Sequence, residues 1–296
     1  MFKFISLLFL FIVVGFFCEL TTKGFRYSEI LTHLPNRHEW EVPPPNEKEL
    51  REIRARLDQP FEYLGAGKQS VAFLGRDGKT VLKFFKHGER WKEALNKTLL
   101  SEALQKKTHE MRLCRPFHPD ALFRSCLIAF EDLKEETGLL YLHLNKTEDK
   151  WGKVTLYDPI RVEQKIDLDK TEFILQEYSE LAFPVIDRQM KEGRVEEAKA
   201  SLQALIDSIE AYCHKGIRVN NPAIQRNVGF KDGKVVLLDV GSFQKSEDFK
   251  TRAAFEKEVV AVSARLERWI RKHHPDLLPY LNDARGVPSK RVKCWL

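Results

Sequence analysis

The sequence predicts an α+β chain in two parts, a strand-rich half followed by a helical half that carries one inserted hairpin. Three observations lead there. Short apolar or alternating runs of strand length cluster at residues 61–85 and again at 139–178. Beyond Leu181 the apolar residues fall at three- and four-residue spacing, as in Val195, Ala198, Leu202, Leu205, Ile209 and Tyr212. Within that half, Asn227–Phe230 and Val235–Asp239 flank Lys231-Asp232-Gly233-Lys234, and Asp-Gly is a strong hairpin-turn signal. The 296 residues suit one large domain or two modest lobes, and 43% hydrophobic content supplies a core.

The elements follow in chain order. Lys3 precedes fifteen uncharged, mostly apolar residues, Phe4 to Cys18, before Glu19. That is the length of a signal-peptide core and short of the roughly 20 residues of a straight membrane span. Phe16-Phe17-Cys18 puts bulky rings where a signal peptidase takes small residues, which favours an uncleaved anchor over a removed signal. A buried core helix is the other reading. Lys3 on one side and Lys23 and Arg26 on the other leave orientation open. Residues 21–60 read as an exposed connector: Pro43-Pro44-Pro45 imposes an extended backbone, and Asn46 is placed to cap a helix over Glu47–Leu57.

Strands are expected at Phe61–Leu64, Val71–Leu74 and Thr80–Phe85, the last two joined through Asp77-Gly78. A helical region, roughly Arg90–Glu136, is interrupted near Pro116 and Pro119. Strands return at Leu139–Leu144, Val154–Tyr157 and Phe173–Tyr178, and a final amphipathic helix covers Thr251–Lys272 before Pro275. The expected organisation is an anchor or signal at 1–20, the connector at 21–60, a strand-rich lobe at 61–178, a minimal helical lobe at 179–285 and a tail at 286–296.

Composition narrows the function classes. The 49 basic and 43 acidic residues give a formal charge of +6, which permits an anionic ligand or membrane surface without requiring one. Neither an RNP-type aromatic motif nor zinc-ligand spacing occurs, so no nucleic-acid partner is expected. The five cysteines, Cys18, Cys114, Cys126, Cys213 and Cys294, are far apart and form no C-x-x-C pair. They read as small apolar fillers in a reducing compartment. His214 suits a helix C-terminus, and the His273-His274 pair has no neighbouring Cys or carboxylate at ligand spacing. The basic residues of the last helix read as its solvated face. There is no G-x-S-x-G elbow for nucleophilic hydrolysis.

Four segments carry chemistry. Leu64-Gly65-Ala66-Gly67-Lys68-Gln69-Ser70 lies between two expected strands, where glycines let a backbone approach phosphates. Lys83 is a cation in the otherwise apolar strand Thr80–Phe85, one strand downstream, where it can meet phosphate charge. Phe173–Tyr178 is an apolar strand turning polar at its end, with main-chain groups that could face a nucleobase edge. Finally, Asn227 and Asp239 begin and end the expected hairpin, which sets two oxygen-bearing side chains at one mouth. Two such ligands suit Mg²⁺, which keeps water and phosphate oxygens for its other positions.

In order and approximate spacing these segments resemble the protein-kinase-like superfamily across residues 60–245. Gly65-Ala66-Gly67 resembles its glycine-rich loop, with Ser70 where a third glycine is usual. Lys83 resembles the strand-three lysine, and residues 175–178, including Glu177 and Tyr178, resemble the hinge. Asn227 resembles the metal-binding asparagine of the catalytic loop, and Asp239-Val240-Gly241 resembles Asp-Phe-Gly. The resemblance implies a bilobal kinase-like fold that binds ATP with Mg²⁺. Phosphates would go to Gly65, Gly67, Ser70 and Lys83, the base to Glu177 and Tyr178, and the metal to Asn227 and Asp239. The departures are equally specific. Where the family has His-Arg-Asp this chain has Val219-Asn220-Asn221, so Asn221 stands in the place of the catalytic aspartate, and an amide cannot accept the substrate proton. No Ala-Pro-Glu segment follows Asp239. The expectation is therefore an ATP- and Mg²⁺-binding pseudokinase or weak atypical kinase. The alternatives are an active phosphotransferase on a protein, sugar or lipid hydroxyl, and an exported scaffold with a protein partner.

Overall fold

A computed structural model of the chain describes residues 13–32, 34–87, 119–220, 223–248 and 252–286. They form a mixed α+β structure that divides into two compact units, residues 1–121 with 141–176, and residues 122–140 with 177–296.

The first unit is built on a seven-stranded sheet of order β4-β7-β3-β2-β1-β5-β6. Its strands are β1 (Phe61–Ala66), β2 (Ser70–Gly75), β3 (Thr80–Phe85), β4 (Leu139–His143), β5 (Lys153–Tyr157), β6 (Glu163–Asp167) and β7 (Phe173–Glu177). β1, β2 and β3 pair antiparallel in sequence, whereas β5 joins β1 in parallel. Phe61, Phe73, Phe84, Phe85, Leu142 and Phe173 fill the core. Helix α1 (Glu47–Leu57) starts where Asn46 predicts: its side chain accepts from Glu49 N–H while the Glu49 carboxylate accepts from Asn46 N–H. α1 docks through Ile53 and Leu57.

Two expectations change here. The connector is not simply exposed, because Phe25, Ile30 and Trp40 are buried. Phe25 packs edge-on against Phe73 at 5.6 Å, and Trp40 Nε1–H finds the Asp120 carboxylate at 3.2 Å. Large apolar rings gain more by leaving water than the extended backbone gains by staying out. The second change is β6, which its polar composition does not announce. Pairing with β5 builds it, across a turn in which Asp158 Oδ1 accepts the N–H groups of Ile160 and Val162. The apolar run at 4–18 falls mostly outside the described residues; residues 13–21 are helical. Among the described residues no helix is long and apolar enough to cross a membrane. The helical region expected at Arg90–Glu136 is described from α2 (Pro119–Asp132) onward, followed by the single turn α3 (Lys134–Thr137).

The second unit packs α4 (Ala182–Lys191), α5 (Val195–His214), α7 (Arg252–His273) and α8 (Leu278–Ala284) around two small ribbons. The stripe read from the sequence is the buried face of α5 from Ala198 onward, with Ala198, Leu202, Leu205, Ile209 and Tyr212 all in the core, whereas Val195, at the first position of the helix, is exposed. Burial also pushes the Cys213 thiol up to about 12, so it packs as an inert apolar group. The remaining elements are β8 (Glu180–Leu181), β9 (Ile217–Val219), α6 (Ile224–Asn227), β10 (Val228–Lys231), β11 (Lys234–Leu237) and β12 (Phe243–Lys245). The hairpin turn is where Asp232-Gly233 places it, with φ of 49° and 76°. Both ends differ from expectation: Asn227 closes α6, its N–H bonded to Ala223 O at 2.9 Å, and does not begin the strand, and β11 stops at Leu237, two residues before Asp239.

β10 also pairs with β8, and at Gly229 the two backbones approach too closely for a side chain. A Cβ there would lie 2.6 Å from both Glu180 O and Ser179 Oγ. Gly229→Ala is expected to destabilise the second unit by about 1–3 kcal/mol, the usual cost of forced overpacking. A lowered urea midpoint checks this, and an unchanged midpoint contradicts the close approach.

Candidate functional site

The site residues predicted from sequence fall on both units. In the first, the sheet register sets two of them, Gly65 and Lys83, in one row. Gly65 pairs with Ala72, and Ala72 pairs with Lys83, so the lysine lies across one small residue from the glycine on the less buried face of the sheet. A β-bulge between Tyr63 and Gly65 brings the glycine into that row. Among the described residues no atom comes within 4 Å of a Cβ built on Gly65.

The glycine segment is tighter than a phosphate-wrapping loop. Gly65 and Ala66 belong to β1, the turn comprises Lys68 and Gln69, and Gly67 N–H is taken by Ser70 O at 2.8 Å. Ser70 starts β2 opposite Phe85. Main-chain donors are therefore fewer than the motif suggests, and the positive charge in the row comes from Lys83.

In the second unit, the strand end read as a hinge is already engaged. Glu177 N–H donates to Gly138 O at 2.8 Å, and the Glu177 carboxylate pairs with Lys231 on β10. Gly138 can make this approach because it takes a left-handed φ of 60° at the end of α3. Tyr178 is half-buried beside it.

The same unit brings Asn227 and Asp239 together through two loops held at both ends. Of the first loop, residues 220 and 223–227 are described, the latter leading through α6 into β10; the second, 238–242, leaves β11 and runs into β12. β10 pairs with β11, and β9 pairs with β12, so the loops lie alongside one another. Asn227 O accepts from Leu238 N–H at 2.8 Å, and Asn227 Nδ2 donates to Asp239 Oδ2 at 3.2 Å. At the far end Asn220 N–H donates to Ser242 O at 2.8 Å. Asp239 Oδ1 accepts from Gly241 N–H at 3.1 Å, which folds the Asp-Val-Gly turn back on its own carboxylate. Both side chains are half-buried. Asn221, expected from the resemblance to stand in the place of a catalytic aspartate, lies outside the described residues.

One side chain in this assembly carries no motif signal. Ser125, in the middle of α2 and 2% exposed, donates to Val240 O and accepts from Phe243 N–H, both at 2.7 Å. The only hint in the sequence is a hydroxyl within the mostly apolar run Leu122-Phe123-Arg124-Ser125-Cys126-Leu127. A cavity of about 30 Å³ beneath the loops is lined by Tyr212, Val219, Ile224, Asn227, Asp239 and Val262, among others. It has room for a water molecule and not for a nucleotide. Among the described residues no three His, Cys, Asp or Glu side chains gather as a metal cluster.

No family model matches the chain, and no curated protein sequence matches it. Among solved structures it is similar to the bifunctional kinase-methyltransferase WbdD, with a TM-score of 0.36 at 13% identity over 77% of this chain and 45% of that one. WbdD crystallised with the kinase inhibitor LY294002 gives a TM-score of 0.32 at the same identity, over 77% and 46%. A further WbdD structure gives 0.35 at 12% identity. The chain spans less than half the length of these structures.

Proposed function

We propose that the chain is a kinase-like protein that binds ATP with Mg²⁺ and transfers phosphoryl groups slowly or not at all. The observation that carries this reading is the Asn227–Asp239 contact between two loops braced at both ends. An amide and a carboxylate at hydrogen-bond distance fit Mg²⁺, which takes few protein ligands and leaves its other positions to water and phosphate oxygens. When bound, the metal supplies charge neutralisation to the phosphates. On this reading Lys83 meets phosphate charge, with Gly65 leaving the backbone low beside it. Gly67 and Ser70 shape the turn without lending the Gly67 N–H. Glu177 and Tyr178 border the nucleobase, where Glu177 offers its carbonyl because its N–H is spent on Gly138.

Slow transfer follows from Asn221. Phosphoryl transfer is mostly positioning and charge neutralisation, so an amide in place of the base lowers the rate without removing the binding machinery. A thermal-shift titration with ATP and Mg²⁺ tests the proposal. Stabilisation is expected in the wild type and is expected to be largely lost in Lys83→Ala. No shift in the wild type removes the nucleotide reading. A γ-phosphate release assay with Asp239→Ala as the control then separates an enzyme from a scaffold.

A further inference from the structure

We infer that Ser125 is a positioning residue that couples helix α2 to the candidate metal-binding loop. The inference rests on the reading of Asp239 as a metal ligand given above, and its geometry is independent of that reading.

Besides the pairing of β12 with β9, two other hydrogen bonds act on the turn from Asp239 to Phe243. Asp239 Oδ1 holds Gly241 N–H, and Ser242 O holds Asn220 N–H. Neither bond fixes the carbonyl of Val240 or the amide of Phe243, the two main-chain groups that bracket the turn. Ser125 satisfies both with one hydroxyl, donating to the first and accepting from the second. A hydroxyl has one proton and two lone pairs, so this use is complementary. The partners are 115 and 118 residues away in sequence, which makes the contact wholly tertiary.

The chemistry of the side chain is not replaceable by its neighbours. Ser125 is buried, with Leu122, Phe123, Cys126 and Ala129 of the same helix also in the core. None of these presents a hydroxyl. Alanine would leave Val240 O and Phe243 N–H unpaired in a buried place, the costly case for polar groups. Serine in mid-helix more often returns its proton to a carbonyl of the preceding turn. Here the proton goes to the loop. Any movement of α2 that draws Ser125 away must release the turn carrying Asp239, so α2 has the means to set the geometry of the metal ligand.

The experiment compares wild type, Ser125→Ala and Ser125→Thr in the full chain, with two readouts. Hydrogen exchange reports the loop directly. In Ser125→Ala the Phe243 amide is expected to exchange at least about tenfold faster, with α5 unchanged and Ser125→Thr restoring protection. The second readout is the Mg²⁺ concentration that gives half of the ATP-induced thermal shift, expected to rise about tenfold in Ser125→Ala and to recover in Ser125→Thr. Unchanged exchange at Phe243 overturns the contact. Faster exchange with an unchanged Mg²⁺ requirement overturns the positioning role and leaves a structural serine. If the wild type shows no ATP response while exchange behaves as expected, the nucleotide reading fails and the coupling of α2 to the loop stands.

Discussion

Replacing Asp239 by asparagine is expected to abolish the Mg²⁺-dependent stabilisation by ATP while leaving the unliganded protein almost as stable as the wild type. A ligand at 100 times its dissociation constant stabilises the folded state by about 2.7 kcal/mol. In a chain of this size that corresponds to a thermal shift of about 5–10 °C. Asparagine keeps an oxygen to accept from Gly241 N–H, 3.1 Å from Oδ1 in the wild type, can donate its new NH2 to Asn227 once that amide turns its oxygen inward, and removes the charge that the metal requires. Asp239→Ala is a harsher change, because Gly241 N–H and the Asn227 amide both lose their acceptor, at about 1–2 kcal/mol of intrinsic stability. Each variant is therefore compared with its own unliganded midpoint. An Asp239→Asn protein that responds to ATP and Mg²⁺ as the wild type does would contradict the metal assignment.

The second large effect belongs to Arg285, far from any motif. Its side chain is 3% exposed and comes back from the end of α8 onto α7. Nε donates to Ser263 Oγ at 2.8 Å, Nη2 to Ser263 O at 2.6 Å, and Nη1 to Glu267 at 2.6 Å. Ser263 and Glu267 are one helical turn apart, so a planar fork reaches both and lysine cannot. Arg285→Ala is expected to cost about 2–4 kcal/mol, below the full cost of breaking a buried ion pair because Glu267 is partly exposed and keeps Arg271. Arg285→Lys is expected to restore less than half, measured by urea unfolding.

The same latch has a pH signature. Burial alone would raise the Glu267 carboxyl, but hydrogen bonds from Arg285 and Arg271 outweigh it and hold the group below its ordinary range. A depressed carboxylate contributes stability above the unfolded value, about 4.3, and that contribution disappears as pH falls through the lower folded value. The difference between wild type and Arg285→Ala is accordingly expected to shrink below about pH 4.

Much of the fold was legible because its local signals agree with its tertiary use. Asn46 caps α1, Asp232-Gly233 turns the β10–β11 hairpin, and the three-four stripe of α5 faces the core. Misreadings came where local and tertiary preferences part. Phe25, Ile30 and Trp40 sit in a proline-rich connector and are buried nonetheless. β6 exists by pairing with β5, and pairing leaves no mark on a polar sequence. Gly67 looks like a free donor until its N–H is seen to close the turn onto Ser70. Ser125 and Arg285 are single polar residues whose partners lie elsewhere in the chain or on another helix, so no window of sequence contains both halves of the interaction.

The residues alone determined an α+β chain and the order of its chemistry-bearing segments, because side-chain period and turn chemistry are properties of neighbours in sequence. Only the tertiary structure decided that Gly65, Ala72 and Lys83 share one row, that Asn227 touches Asp239, and that a serine of α2 grips the turn that follows Asp239. Strand register and buried hydrogen bonds join residues from 7 to more than 100 positions apart, and such contacts are chosen by packing, which no local pattern encodes.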